Sequence, residues 1–482
     1  MSDFLFSEFN PVSAKQWKQK IQFDLNGADY NGALVWESNE GVKVKPFYHH
    51  DEFEQLPFIN KGKNFSICQS IFISDEKIAN FLAKDALQRG ATSIQFEANA
   101  PFDIEIVFNS IVTQNKSKES LTIHLKLNFL SESFLSDIID NTKDLKLKLN
   151  IDILGNFAET GNWFYNEKED YRILEKILKK ENQQTTIVSV DASLYQNAGA
   201  NIVQQVAYAL AHGNEYLNHF NESNVIQSDS EESLNSSKSQ ALIPNFDIQF
   251  HFSVGSNYFF EIAKLRAFRI LWQLLLDEYE LKVKAELFVQ PSLRNKTLYD
   301  YNVNLLRTTT ECMSAILGGA DTISNISYDG LYHKKNEFGE RIARNQLLIL
   351  QEESYFNSNA IVETANQFAD GSYYIETLTK QIAEKALILF KDIEKNGGFL
   401  KQLQAGTIQR KIEESALKEQ KQFDSGEEVL LGTNKHPNLD NKMKNELELY
   451  PFVKINPRKT IIKPIQPKRL AEKVEQERLK EE

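Results

Sequence analysis

From Asn64 onward the chain alternates short β-branched or period-two runs with longer stretches of helical periodicity. The short runs are SICQSIFI (66–73), SIQFEA (93–98), LTIHLKLN (121–128), LKLNIDIL (147–154), TTIVSVDA (185–192), FDIQFHFSV (246–254), LKVKAELFV (281–289) and ADTISNIS (320–327). Between them, apolar spacing predicts helices over 75–88, 173–180, 201–217, 257–280 and 304–317. Strands that alternate with helices pair in parallel through right-handed crossovers. Eight such units in about 260 residues predict an α/β protein built on a (β/α)8 TIM barrel.

The barrel region is read as residues 51–400, interrupted at 221–240 by NESNVIQSDSEESLNSSKSQ, whose Ser, Asn and acidic residues predict a mobile surface loop. Residues 1–50 form an N-terminal arm with little structure of its own. Its Phe4, Phe6, Phe9, Trp17, Trp36, Phe47 and Tyr48 are too many apolar groups to leave in water, so the arm is expected to embrace a partner, with Trp17, Trp36, Phe47 and Tyr48 at the interface. Residues 401–482 are read as C-terminal helices and an extended strap. One helix covers 405–426 and closes at Gly426; beyond it Pro457, Pro464 and Pro467 alternate with basic residues.

A hydrophobic fraction of 41% with 32 Phe and 17 Tyr excludes global disorder. The net charge of −12 argues against wrapping nucleic acid, which needs clustered cations. Two cysteines, Cys68 and Cys312, are too few for a disulfide framework or a thiolate metal site. The start MSDFLFSEFN lacks a basic region before its apolar residues, and no run is apolar enough to span a bilayer, so a cytoplasmic, membrane-free location is expected. His49 and His50 are adjacent and are expected to point to different faces, which leaves no metal site in this reading. Neither a phosphate-binding Gly-Lys-Ser/Thr loop nor a Gly-x-Gly-x-x-Gly turn is present.

Several long strings resemble the methylmalonyl-CoA mutase family: YFFEIAKLRAFRILW (258–272), LLRTTTECMSAILGGADTISN (305–325), RIARNQLLILQEES (341–354), ADGSYYIETLT (369–379) and QAGTIQRKIEESALKEQKQFDSGE (404–427). With LYQNAGANIVQQVAYALAHGNEYL (194–217) and GVKVKPFY (41–48) they cover nearly the whole chain. The resemblance implies a barrel that threads coenzyme A along its axis beneath a cobalamin domain, and an isomerase acting through adenosylcobalamin. It also implies, for many bacterial members, a heterodimer whose smaller chain keeps the fold without the chemistry.

Departures from the family pattern point to that smaller (beta) chain. No His here has Asp two before it and Gly three after it, so the cobalt-ligand loop is not found. A Tyr-His pair of active barrels is replaced by Ser193 and Leu194 in SLYQNAGA, and leucine donates no hydrogen bond to a thioester oxygen. In FSICQSIFI, Cys68 replaces an arginine and Ser70 a substrate-facing tyrosine. No arginine lies between Ile151 and Tyr171 to pair with a substrate carboxylate. The degenerate positions Ser70, Ser193 and Leu194 therefore imply no catalytic, cofactor or metal residues in this chain. Adenosylcobalamin and the acyl-CoA substrate are expected in a large (alpha) partner subunit. The alternatives are a catalytic barrel served by a separately encoded cobalamin-binding subunit, or a free-standing binding barrel. The axis itself is expected to be closed to coenzyme A, with Phe246, Ile248, Phe250 and Phe252 on one face of their strand and Asp247, Gln249, His251 and Ser253 on the other.

Overall fold

The computed structural model describes residues 8–54, 56, 65–111, 121–143, 145–180, 184–228, 247–281, 285–354, 369–453 and 458–482. In the arm, β1 (Trp36–Glu37) and β2 (Lys43–Val44) make a short antiparallel pair. Eight further strands follow: β3 (Ser66–Phe72), β4 (Ser93–Ala98), β5 (Thr122–Leu127), β6 (Lys146–Ile151), β7 (Thr185–Asp191), β8 (Ile248–Val254), β9 (Ala285–Pro291) and β10 (Thr322–Ile323). They close into one barrel in the order β10-β3-β4-β5-β6-β7-β8-β9, and every pairing is parallel. Each of the eight expected runs contributes a strand.

Boundaries move where side chains compete with the ladder. The run at 147–154 stops at Ile151 because Asp152 caps the helix Ile153–Thr160, accepting the Gly155 N–H at 2.7 Å. The run at 320–327 supplies only Thr322 and Ile323. The expected helix at 405–426 begins at Thr407, after Gly406 (φ 73°), and ends at Gly426 (φ 80°), the left-handed terminator expected there. The helix from Ile202 runs to Ser228, so the insertion at 221–240 starts as helix; its residues 229–240 lie outside the described part, as do Phe4, Phe6, Phe246 and Pro457.

The helices pack on the barrel through narrow apolar stripes. In Glu76–Gln88 the small residues Ala79, Ala83 and Ala86 turn inward at i, i+4, i+7 spacing, letting the helix approach closely. Phe250 and Phe252 of β8 meet Phe268 at ring-centroid distances of 4.6 and 4.8 Å, and Phe250 also meets Trp272. That aromatic face therefore points outward to the helix Tyr258–Glu278. The expectation that it closes the axis is overturned, because both faces of a barrel strand are buried and period-two alternation does not say which is inner.

One face of the arm lies on the barrel's own helices. The helix Ala14–Asp24 starts with a Ser13/Gln16 capping box. Trp17 contacts Phe47, Trp36 contacts Phe260 and Tyr48 contacts Tyr374, with centroids 6.4, 5.9 and 5.2 Å apart. Backbone groups of Lys43 exchange two hydrogen bonds with the Gln381 side chain, at 2.9 and 3.1 Å. Even so, Phe9, Phe23 and Trp36 stay more than half exposed and Trp17 about half exposed. Among the described residues no helix is long and apolar enough to cross a membrane.

At the far end the strap 458–470 crosses the mouth formed by the carboxyl ends of the strands. Its Ile461, Ile465, Lys468 and Leu470 N–H groups donate to the carbonyls of Gly161, Ala158, Asn197 and Arg294 at 2.8–2.9 Å. Gly161 (φ 75°) permits this approach, since a Cβ there would stand 2.6 Å from the Ile462 carbonyl oxygen.

Candidate functional site at the barrel axis and mouth

Parallel register places Ser70, Gln95 and His124 side by side on the axial face of β3, β4 and β5. Gln249 and His251 occupy the same face of β8, opposite the aromatic set. His124 Nδ1 stands 3.2 Å from Gln249 Oε1, and the His124 ring meets Phe288 of β9 at 5.1 Å. Phe288 in turn stacks on His251 at 4.7 Å. β5 and β9 are four steps apart in a ring of eight, so a His124–Phe288 contact spans the whole diameter. One layer away Lys148 of β6 reaches Glu286 of β9 at 2.6 Å and Thr186 at 2.8 Å. The axis is filled at these levels, by a polar and aromatic set different from the one expected.

Burial pushes His124 down to about 3 and His251 down to about 4, so both rings are neutral. Unfolded histidine titrates near 6.5. Below that value the unfolded chain binds protons that the folded chain does not, so stability falls as pH drops from about 6.5 toward 4, by up to about 1.4 kcal/mol per pH unit for each ring. Urea unfolding at pH 7, 6 and 5 is predicted to give a shallower pH dependence for His124→Gln than for the parent chain. Equal slopes would show that His124 is not the acid-sensitive group.

Above this layer a cup of about 520 Å³ opens between the strand ends and the strap, lined among others by Glu97, Lys126, Asn150, Glu159, Asp191, Leu194, His251 and Arg458. Lys126 is raised by Asp191, 3.9 Å away, more than burial lowers it. Glu159 is raised by burial and, further, by Asp191 and Glu97. Four carboxylates, Glu97, Asp152, Glu159 and Asp191, thus surround two cations, Lys126 and Arg458, a lining that disfavours an anionic guest. The His251 Nε2 atom is buried without a partner beside this cup.

The sequence-derived positions fall apart in space. Leu194 lines the cup, and Ser193 beside it gives its N–H to Asp191 Oδ1 at 3.1 Å, with its hydroxyl on the same carboxylate. Ser70 stands across the barrel, its carbonyl and hydroxyl 2.8 and 3.3 Å from Lys335 Nζ. Cys68 shares its face, fully buried, with the thiol pushed up to about 12 by burial. The stretch without arginine is met by one from elsewhere: Arg458 donates to the Thr160 carbonyl at 2.9 Å. Only the tertiary path of the strap brings it there.

Sequence reasoning also missed the group that orients Leu194. Asp152 accepts from His212 Nε2, Tyr216 Oη, Gly155 N and Asp191 N at 2.7–2.9 Å. Burial would raise this carboxyl, but His212 and the backbone donors outweigh it and hold it below the usual range. His212 Nδ1 then accepts from the Tyr195 hydroxyl at 2.8 Å, pinning the helix Ser193–Asn197 to the end of β6. A second correction concerns His49 and His50. His49 caps, and His50 opens, a 3-10 turn, where their rings and Asp51 bring ligand atoms within 4.8 Å of one another.

A closed parallel barrel with its cup at the carboxyl ends of the strands is the frame of a (β/α)8 enzyme fold. The family model for methylmalonyl-CoA mutase matches residues 102–481, and the chain belongs to that family. It is 32% identical to the methylmalonyl-CoA mutase small subunit of Porphyromonas gingivalis, over 90% of this chain and 71% of that one. It is 31% identical to the methylmalonyl-CoA mutase of Escherichia coli, over 88% and 64%. It is 25% identical to the methylmalonyl-CoA mutase large subunit of Streptomyces virginiae, over 88% and 62%. The chain thus spans roughly two thirds of these relatives' length.

Proposed function

We propose that this chain is the non-catalytic small (beta) subunit of a heterodimeric, adenosylcobalamin-dependent methylmalonyl-CoA mutase. It stabilises a large (alpha) subunit that holds the cofactor and the acyl-CoA. The observation that carries the reading is the filled axis: a pantetheine chain cannot pass where His124 touches Phe288 across the diameter. The cup adds to it, with Leu194 and Ser193 offering no imidazole or phenol and with carboxylates outnumbering cations. The residues at the mouth do not fit a corrin above the barrel, because the strap is bonded there through its own backbone. Exposed aromatics on the arm support a partner surface.

One observation favours a second reading, a catalytic barrel served by a separate cobalamin-binding subunit: the unpartnered His251 Nε2 beside the cup stands where an imidazole donor would be useful. The two readings separate on one preparation. The chain is purified alone and together with its large-subunit partner, and coenzyme A thioester is titrated calorimetrically into both. One equivalent per heterodimer, no binding and no turnover by the isolated chain, and unchanged turnover in a His251→Ala heterodimer are expected. A second equivalent at micromolar affinity, or loss of turnover in His251→Ala, would overturn the non-catalytic reading.

A further inference from the structure

We infer that His49, His50 and Asp51 form a surface site for a borderline divalent metal such as zinc, which clamps the N-terminal arm. The three residues follow one another, and the step from extended His49 into the 3-10 turn His50–Glu52 leaves one ligand atom of each within 4.8 Å of the others. Asp51 Oδ1 lies 3.4 Å from His49 Nδ1 and 3.1 Å from His50 Nδ1. Ligands held at zinc-like bond lengths on a tetrahedron stand about 3.3 Å apart, so these separations already match the edges of such a site. The other carboxylate oxygen, Oδ2, accepts the Ala14 N–H at 2.9 Å. That bond orients the carboxylate from behind, as outer partners of metal ligands do.

Two imidazoles and one carboxylate suit zinc better than calcium or magnesium, which prefer all-oxygen sets. Binding displaces the Asp51 N–H, which donates to His49 Nδ1 at 3.2 Å. The fourth position faces solvent, since the His50 side chain is 77% exposed, and water fills it. Because Asp51 also holds the first N–H of the helix Ala14–Asp24, a metal here ties that helix to the turn that ends the arm.

The test titrates ZnCl2 into the untagged full-length chain in chelator-free buffer. One saturable equivalent is expected, weakened at least about tenfold in His50→Ala and in Asp51→Asn. His436→Ala, at an exposed histidine elsewhere, retains it. Asp51→Asn keeps an oxygen for Ala14, so a loss of binding there reports the ligand and not the fold. Zinc is also expected to slow amide exchange in Ala14–Asp24 in the parent chain and not in His50→Ala. No saturable binding, binding indifferent to both variants, or exchange unchanged by zinc would each overturn the site.

Discussion

Phe288→Ala is expected to destabilise the chain by about 3–5 kcal/mol, the range for emptying a fully buried phenylalanine site. The ring is 1% exposed and is held between His124 and His251, whose strands stand on either hand of the axis. Barrel strands are tied to their neighbours by backbone ladders, so the wall cannot collapse inward to fill the void. The residual cavity therefore persists and its full penalty is felt. Urea unfolding followed by circular dichroism measures the change. A loss below about 1 kcal/mol would mean that neighbours refill the space, and the argument for a closed axis would fall with it.

Lys264→Ala is expected to remove a comparable amount, about 3–5 kcal/mol, for a different reason. Lys264 is completely buried, and burial draws its ammonium below its usual range. Its Nζ donates to Gln196 Oε1, Gln205 Oε1 and the Ser253 carbonyl at 3.0, 2.9 and 2.6 Å, and it pairs with Glu261. Glu261 in turn accepts from Gly255 N and Gln196 Nε2, both at 2.8 Å. Removing the ammonium leaves a buried carboxylate with neutral donors alone, the arrangement that makes breaking a buried pair expensive. The double variant Lys264→Met with Glu261→Leu is expected to recover most of the loss, since it removes both charges and keeps volume. A double variant as unstable as the single one would place the effect in packing. Through Gln196 the same network anchors the helix that carries Ser193 and Leu194.

The resemblance read from the long strings and the family shown by comparison agree, and so do the barrel and its eight strands. What was legible follows from local physics. Runs such as SIQFEA alternate apolar Ile94, Phe96 and Ala98 with polar Ser93, Gln95 and Glu97, the period of a strand. Helices announced themselves by spacing, and Gly426 by its freedom at positive φ. Finer boundaries were not legible where one polar side chain chose between strand and cap, as Asp152 does at the end of β6.

The sequence by itself determined the fold class and the family, because these depend on residue type and local period. Tertiary structure alone decided which face of β8 points inward, since alternation is symmetric between core and axis. It decided that the axis is filled where His124 of β5 meets Phe288 of β9, which is paired with His251 of β8, a contact across the barrel made only when the sheet closes. It brought Arg458 from the strap to a stretch that has no arginine of its own. Closure and strap path are set by contacts between distant segments, and no local pattern encodes the partner across the barrel.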